Sequence, residues 1–211
     1  MGRNSVTVIL MATKLEAKPF IRGLALRPAE KRPFPVFVND RQVLVISGIG
    51  KAAAAMATAY ACQAFAPAVI VNAGAAGALG PGHPAGEFYR IGKIIEHDRP
   101  HILTGAPMAH RPARMKGSGE VPAAVLATGD RPVIDPDQRQ ELARLADLVD
   151  MEAAAVIQAA QTWQVPGHVF KFVSDDPGHT AGIQIVANIR VFREPFFRFI
   201  QTAVLPRLAD R

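Results

Sequence analysis

Apolar runs alternate with helix-forming segments throughout the first third of the chain. Residues 6–12 (VTVILMA) form an uninterrupted apolar run that is typical of a buried strand, and the following LEAKPFIRGL predicts a short helix. PVFVN and RQVLVISG predict a pair of strands joined by a turn at Asn39 and Asp40. The alanine-rich segment KAAAAMATAYACQAFA predicts a helix that is stopped by Pro67.

The same alternation continues to the end of the chain. AVIVNAGAAGALG predicts a buried strand that runs into a Gly/Ala-rich loop, and GEFYRIGKIIEHD predicts one or two further strands. Proline, glycine and basic residues from Arg99 to Pro122 predict a long loop. The remaining segments predict strands at AAVLATGD, LVD and GHVFKFVSDD, and helices at QRQELARLA, MEAAAVIQAAQTW and the C-terminal region, with a kink near Pro195. This order predicts a three-layer α/β/α sandwich with a mixed, largely parallel central sheet.

Length and composition favour one globular domain over residues 1–211. The chain is 49% hydrophobic and 20% charged, which suits a sizeable buried core. Its single cysteine, Cys62, lies in an apolar stretch and cannot form an internal disulfide, so a cytoplasmic location is expected. The apolar stretch 52–79 is rich in alanine and glycine and contains Gln63 and Asn72, so no membrane span is predicted.

The net charge of +6 does not by itself indicate a nucleic-acid partner. Basic residues are not interleaved with aromatic residues, and no recognition-helix pattern is present, so we interpret the charge as a basic surface. We predict no cofactor and no metal, because the spacing of five of the six histidines matches no ligand set. These histidines are His97, His101, His110, His168 and His179.

Unusual residues follow four of the predicted strands. Ligands of α/β folds bind at the carboxyl ends of the strands, and these ends read SGIGK, NAGAAG, VDME and VSDD. Gly48, Gly50 and Ala53 form a G-x-G-x-x-A pattern between a strand and a helix, which suits a phosphate group at a helix N-terminus. However, Asn72 stands where a dinucleotide fold has an acid. The pattern therefore fits a tight structural turn as well as a non-catalytic nucleotide-binding module.

Five motifs together resemble one known superfamily. In order and spacing, SGIGKAAAA, VIVNAGAAGAL, ATGD, VDMEAAAV and KFVSDD resemble the nucleoside phosphorylase and nucleosidase superfamily. The most similar branch is that of the 5'-methylthioadenosine/S-adenosylhomocysteine nucleosidases. The resemblance runs from about Val6 to the last helix. It implies cleavage of the N-glycosidic bond of a purine nucleoside, and a homo-oligomer that is a dimer or larger.

The segment VDMEAAAV has both a structural and a functional interpretation. Asp150 suits a helix cap, and Glu152 suits an acid in a first helical turn, where it favours the helix dipole. The resemblance implies more, because it assigns Met151 to packing against the ribose and Glu152 to its hydroxyls. A carboxylate accepts two hydroxyl donors and so orients a sugar as well as binding it.

Asp175 is the predicted general acid. A purine leaves readily only when a ring nitrogen is protonated, and an aspartate at a strand end, oriented by Ser174, suits that task. The resemblance implies that the proton goes to N7 of the base. Asp176 is the alternative acid, and a structural role for both residues as caps of the next turn also fits the pattern.

Glu16 is the predicted partner of the attacking water. The resemblance matches it to the acid that holds and polarises water in nucleosidases, and a carboxylate at that position repels phosphate. Asn72 and Ala75 supply neither a guanidinium nor a hydroxyl for phosphate. Hydrolysis is therefore favoured over phosphorolysis. The phosphorylase alternative stays open because several arginines lie at unknown positions, namely Arg22, Arg32, Arg41 and Arg90.

The remaining pocket residues follow from the resemblance alone. The backbone of Ile49, Ala76 and Gly77 is expected to line the pocket, and Val133 is expected to contact the edge of the base. Pro132 stands where an aromatic residue is expected to stack on adenine, so the base and the 5' group stay open. Substrates of the futalosine or adenosylhopane type are alternatives. The Phe-rich tail fits either a pocket for an apolar 5' group or plain core.

Overall fold

The computed structural model describes residues 6–115, 121–177 and 182–209. Its strands are β1 (Thr7–Met11), β2 (Arg27–Glu30), β3 (Val36–Val38), β4 (Gln42–Ile46), β5 (Val69–Ala78), β6 (Phe88–Pro100), β7 (Pro107–His110), β8 (Ala123–Thr128), β9 (Leu148–Asp150) and β10 (Gly167–Asp175). Its helices are α1 (Lys14–Gly23), α2 (Lys51–Phe65), α3 (Pro136–Leu142), α4 (Ala153–Thr162), α5 (Gly182–Phe199), a π-helical turn (Ile200–Val204) and α6 (Leu205–Ala209).

Within these residues the ten strands form one mixed sheet. Its order is β10-β6-β8-β9-β5-β1-β4-β3-β2, and β7 pairs with β6. Strand β1 lies at the centre of the parallel part, between β4 and β5. Strand β10 pairs with β6 and also, in parallel, with β5, so five strands close into a small barrel. This closure brings the ends of β5 and β10 side by side.

Alternate residues of β1 face two different helical layers. Ile9 and Met11 pack in the core shared with α1 and α5, whereas Val8 and Leu10 pack in the core shared with α2 and α4. All four side chains are buried, as the two-residue period of a strand covered on both faces requires. The predicted three-layer α/β/α sandwich with a mixed sheet is confirmed.

The segment NAGAAG is part of β5, so the prediction of a loop there is wrong. The strand continues to Ala78 because β10 pairs with it in register as far as Gly77. Its residues are small because carboxylate side chains approach the strand closely, and not because the segment is flexible. A Cβ atom on Gly74 would lie 2.8 Å from Glu16 Oε1, and one on Gly77 would lie 2.8 Å from Asp175 Oδ2.

The prediction of a continuous loop from Arg99 to Pro122 is also wrong in part. Strand β6 continues to Pro100, and β7 pairs with it in antiparallel fashion, with His110 opposite Ile94. Strand β7 is only four residues long, which is too short for the two-residue period of a strand to be recognised in the sequence. Part of the stretch, residues 116–120, lies outside the described residues.

The phenylalanines of the tail belong to the core. Helix α5 continues through Pro195, and the π-helical turn follows after Phe199. Phe196 and Phe197 are buried against Phe20 of α1, with ring centroids 6.2 and 5.1 Å from that ring. In the part of the chain that the structure describes, no helix combines the length and the apolar character that a membrane crossing needs.

Candidate active site

A cavity of about 230 Å³ lies where β1, β5, β9 and β10 end. Its walls are aliphatic over much of their area, including the side chains of Ile185 and Ile189 from α5. All nine residues predicted for the site line this one cavity. They are Glu16, Ile49, Ala76, Gly77, Val133, Met151, Glu152, Ser174 and Asp175.

Glu16 is held by the N-terminus of its own helix. It occupies the third position of α1 and forms a capping box with Thr13, whose hydroxyl and backbone N–H donate to Glu16 Oε2 over 2.5 and 3.1 Å. The N–H of Ala75 donates to the other oxygen, Oε1, over 2.8 Å. The side chain is 5% exposed. Three donors therefore fix one carboxylate at the cavity wall.

Asp150 and Glu152 have different structural roles. Asp150 caps α4, because its Oδ2 accepts from Ala153 N over 2.9 Å, and Oδ1 accepts from the Thr128 hydroxyl over 2.6 Å. Glu152 makes no capping bond in its own helix. Its Oε1 instead accepts from Gly50 N over 2.9 Å. Among the described residues no donor reaches Glu152 Oε2, which leaves that oxygen for a ligand.

The environment of Glu152 opposes its ionisation. Burial, together with the negative charge of Asp150, raises the pKa of Glu152 to about 7. The positive charge of Lys171 and the N–H of Gly50 act in the opposite direction and are weaker. The side chain therefore changes charge near neutral pH.

Lys171 is a buried cation that was not predicted from the sequence. It lies in the middle of β10, and its Nζ is 2.8 Å from Asp150 Oδ2. Burial lowers its pKa, but Asp150 and Glu152 outweigh burial, and the pKa of Lys171 is raised. A charged residue inside the otherwise apolar run GHVFKFV was the available signal. Lys171 offsets part of the negative charge beneath the cavity.

Asp175 is fixed through both of its oxygens. The Ser174 hydroxyl lies 2.6 Å from Oδ1, and Arg139 Nη2 lies 2.6 Å from Oδ2. The aspartate is 3% exposed and closes β10 opposite Gly77. The alternative acid, Asp176, is outside the cavity lining, and its carbonyl accepts from Arg139.

Arg139 lines the cavity and was also not predicted from the sequence. It is 2% exposed, although it lies on the short helix α3 beside several exposed polar residues. Nothing in QRQELARLA distinguishes it from Arg144, because the segment is too short and polar for a clear helical period. Its position depends on how α3 packs against the ends of β5 and β10.

The G-x-G-x-x-A turn holds protein carboxylates rather than an open anion site. Gly48 and Gly50 have φ values of +85° and +97°, which glycine adopts without strain. At the N-terminus of α2, Gly50 N donates to Glu152 and Lys51 N donates to Asp130 Oδ1 over 2.7 Å. The turn therefore presents Ile49 to the cavity and orients Glu152.

The segment around Val133, which is expected to contact the base, is hydrogen-bonded to Arg139. Val133 is buried, and its carbonyl accepts from Arg139 Nε over 2.9 Å. Pro132 and Ile134 line the cavity at this edge, so the wall that an aromatic residue was expected to form is aliphatic. A flat base would pack here against aliphatic groups.

The arginines that left the phosphorylase alternative open do not line the cavity. Arg22, Arg32, Arg41 and Arg90 are absent from its walls, and Arg22 instead pairs with Glu194 on the surface. The arginines that do line it are Arg131 and Arg139. Among the described residues no group of three or more His, Cys, Asp or Glu side chains could hold a metal ion, and His179 lies outside them.

The fold is that of a known superfamily. The model of the Phosphorylase superfamily matches residues 7–204, and the chain belongs to that superfamily. A relative, the 5'-methylthioadenosine/S-adenosylhomocysteine nucleosidase of Anoxybacillus flavithermus, is 31% identical over 186 aligned positions. The alignment covers 77% of this chain and 75% of the relative.

Solved structures show the same fold at lower sequence identity. The apo 5'-methylthioadenosine nucleosidase of Arabidopsis thaliana superposes with a TM-score of 0.87 at 20% identity, covering 98% of this chain and 97% of that chain. The futalosine hydrolase of Helicobacter pylori strain 26695 gives 0.83 at 18% identity, covering 94% and 96%. The predicted superfamily is confirmed.

Proposed function

We propose that the protein is a nucleosidase that hydrolyses the N-glycosidic bond of a 5'-modified adenosine. The observation that carries the proposal is the convergence of Glu16, Glu152 and Asp175, from three distant segments, on one cavity. Membership of the superfamily and the nucleosidase names of relatives agree with it. Three buried carboxylates suit a reaction that builds positive charge on a sugar.

In this proposal Glu152 and Met151 hold the ribose. The free oxygen of Glu152, Oε2, accepts from the sugar hydroxyls, while Oε1 stays anchored to Gly50. Met151 packs against the sugar ring from the cavity wall. Fixing the sugar between these groups converts part of the cost of orientation into binding.

Asp175 and Glu16 act on opposite sides of the bond. The C1'–N9 bond breaks with its electron pair on the base, and Asp175 transfers its proton to N7. Water attacks C1' and gives a proton to Glu16. The donors Thr13 and Ala75 keep the Glu16 carboxylate fixed while it orients that water. Each carboxylate thus performs one of the two proton transfers.

Two features favour water over phosphate as the nucleophile. Glu16 places negative charge at the nucleophile side, where a phosphate ion would be repelled. Its neighbours in the cavity wall, Ala12, Thr13 and Ala75, contribute no positive charge. Arg139 is engaged with Asp175 on the base side.

The 5' group meets an apolar surface. Ile49, Ile185 and Ile189 line the cavity together with Met151. Aliphatic side chains favour an apolar substituent over a charged one, because a charge would lose its hydration without gaining a partner. We infer that an alkylthio-type 5' group fits this cavity.

We further infer that the chain works in the cytoplasm as one domain and as a homo-oligomer. The cysteine content favours a reducing compartment. Ile49 lines the cavity and Met56 lies on α2; they are 61% and 60% exposed, as expected for a surface that a second copy covers. A molar mass of one chain, about 22.6 kDa by light scattering, would refute the oligomer.

The function is tested with 5'-methylthioadenosine and two aspartate variants. We expect wild-type protein to release adenine, and Asp175→Asn to lose at least about 100-fold in kcat, since general acids contribute 10²- to 10⁴-fold. Asp176→Asn is the matched control and should keep wild-type activity. Equal losses of kcat in both variants would contradict the assignment of Asp175 as the general acid. If wild-type protein released no adenine, 5'-methylthioadenosine would not be its substrate.

A further inference from the structure

Arg139 distributes its hydrogen bonds over three separate parts of the site. Nε donates to the carbonyl of Val133 over 2.9 Å, and Nη1 donates to the carbonyls of Ala78 and Asp176 over 3.0 and 2.9 Å. Nη2 donates to Asp175 Oδ2 over 2.6 Å. One buried guanidinium therefore joins the segment around Val133, which is expected to contact the base, to the end of β5 and the end of β10.

The pairing of Arg139 with Asp175 is short and shielded from water. Both side chains are almost fully buried, so neither charge is screened as a surface pair would be. A planar guanidinium with its donors in a rigid fork reaches four acceptors here, which a lysine ammonium with three donors cannot do. The geometry thus requires arginine rather than any cation.

The hydroxyl of Ser174 distinguishes the two oxygens of Asp175. It has one proton and two acceptors within reach, Asp175 Oδ1 at 2.6 Å and the carbonyl of Ala76 at 3.2 Å. When Oδ1 carries a proton, Ser174 can donate to Ala76 and accept from the aspartate. Oδ2 has no such exchange, because Arg139 only donates.

On this basis, and resting on the proposed nucleosidase function, we propose that Arg139 is a positioning residue for proton transfer. It holds Oδ2 of Asp175 so that Oδ1 carries the proton that goes to the base. After the transfer, Arg139 and Ser174 share the charge of the remaining carboxylate. Through Val133, the same guanidinium sets the position of the base relative to that proton.

A pair of substrates separates this role from a merely structural one. Adenine needs a proton to leave, whereas 4-nitrophenolate leaves as an anion without one. We therefore expect Arg139→Met to lower kcat about 100-fold for 5'-methylthioadenosine, within the range for general acids. For a 4-nitrophenyl riboside with the same 5' group, kcat should stay within about threefold of wild type, as the acid contributes nothing there.

Three further proteins complete the test. Arg144→Met, an exposed arginine two residues beyond α3, is the matched control and should behave as wild type on both substrates. In an Asp175→Asn background, Arg139→Met should add less than about threefold, because residues that act as one unit are not additive. Arg139→Lys keeps the charge and replaces the methionine variant in the test if that variant does not fold. It should raise KM for 5'-methylthioadenosine and leave KM for the nitrophenyl substrate unchanged.

The outcomes are distinguishable. Equal loss on both substrates, or full activity of Arg139→Met on 5'-methylthioadenosine, would overturn the positioning role and leave the nucleosidase function intact. Additive losses in the double variant would also overturn it. A wild-type protein that cleaves neither substrate would instead overturn the proposed function, and the inference with it.

Discussion

The acidic residues that line the cavity are buried, and their burial opposes folding unless other groups compensate their charge. Four carboxylates line the cavity, and Asp150, Glu152, Glu16 and Asp175 are each less than 10% exposed. Three of them are compensated by several donors or by a cation, but Glu152 has only the N–H of Gly50 and the weaker effect of the Lys171 charge. Such an under-compensated acid is expected where a ligand supplies the missing donors.

Replacing Glu152 with glutamine should stabilise the unliganded protein at alkaline pH. Because the folded pKa of Glu152 is raised from 4.5 to about 7, its ionisation opposes folding. Both states hold the proton below pH 4.5, and the loss of stability develops as pH rises from 4.5 to 7. We expect Glu152→Gln to raise the free energy of unfolding by up to about 3 kcal/mol at pH 8, from 1.36 kcal/mol per pKa unit.

Urea unfolding at pH 8 and pH 4.5 measures this difference. The stabilisation should be largest at pH 8 and small at pH 4.5. A variant that is less stable than wild type at pH 8 would show that the charge of Glu152 is compensated in the folded state.

The same residue should control the pH dependence of catalysis. In the proposed function Glu152 accepts from both ribose hydroxyls and must be ionised to do so, so kcat/KM should fall about tenfold per pH unit below pH 7. Glu152→Gln should lose kcat/KM by about 10- to 100-fold, as hydrogen bonds to charged groups contribute about 1.5–3 kcal/mol. Its remaining activity should lack the limb near pH 7. A limb that persists unchanged in the variant would assign that ionisation to another group.

At the level of elements, β5 is built to let carboxylates approach its backbone. Gly74 lies under Glu16 and Gly77 lies under Asp175. At each position the carboxylate is so close that a Cβ atom would clash with it. The sequence pattern NAGAAG predicted a loop because small residues are common in loops. The structure makes it a strand through long-range pairing with β10, which no local pattern contains.

A methyl group on Gly77 should displace the predicted general acid. The new Cβ atom would lie 2.8 Å from Asp175 Oδ2, and neither Asp175 nor Arg139 can retreat within the packed site. We expect Gly77→Ala to lower kcat by at least tenfold, because small misplacement of catalytic groups has large effects. Gly80→Ala is the control, since a Cβ there meets nothing within 4 Å. Full activity in Gly77→Ala would show that the carboxylate is not held as tightly as the structure indicates.

For the whole molecule, the sequence predicted the layers of the fold and the residues that line the cavity better than the pairing of distant strands. Buried strands and alanine-rich helices were recognised because apolar period and composition are local signals. The nine residues that line the cavity were predicted together because their motifs occur in a recognisable order. Arg139 and Lys171 were missed because their importance arises from packing between elements that are distant in sequence. Strand β7 was missed because it is four residues long and depends on β6.

Product analysis decides whether the protein uses water or phosphate to cleave its substrate. Purified protein would be incubated with 5'-methylthioadenosine in phosphate-free buffer and in buffer with phosphate, and adenine and sugar products would be quantified. We predict adenine release at the same rate in both, with a free sugar as co-product. Release only in the presence of phosphate, with a sugar 1-phosphate as co-product, would contradict hydrolysis and the role of Glu16.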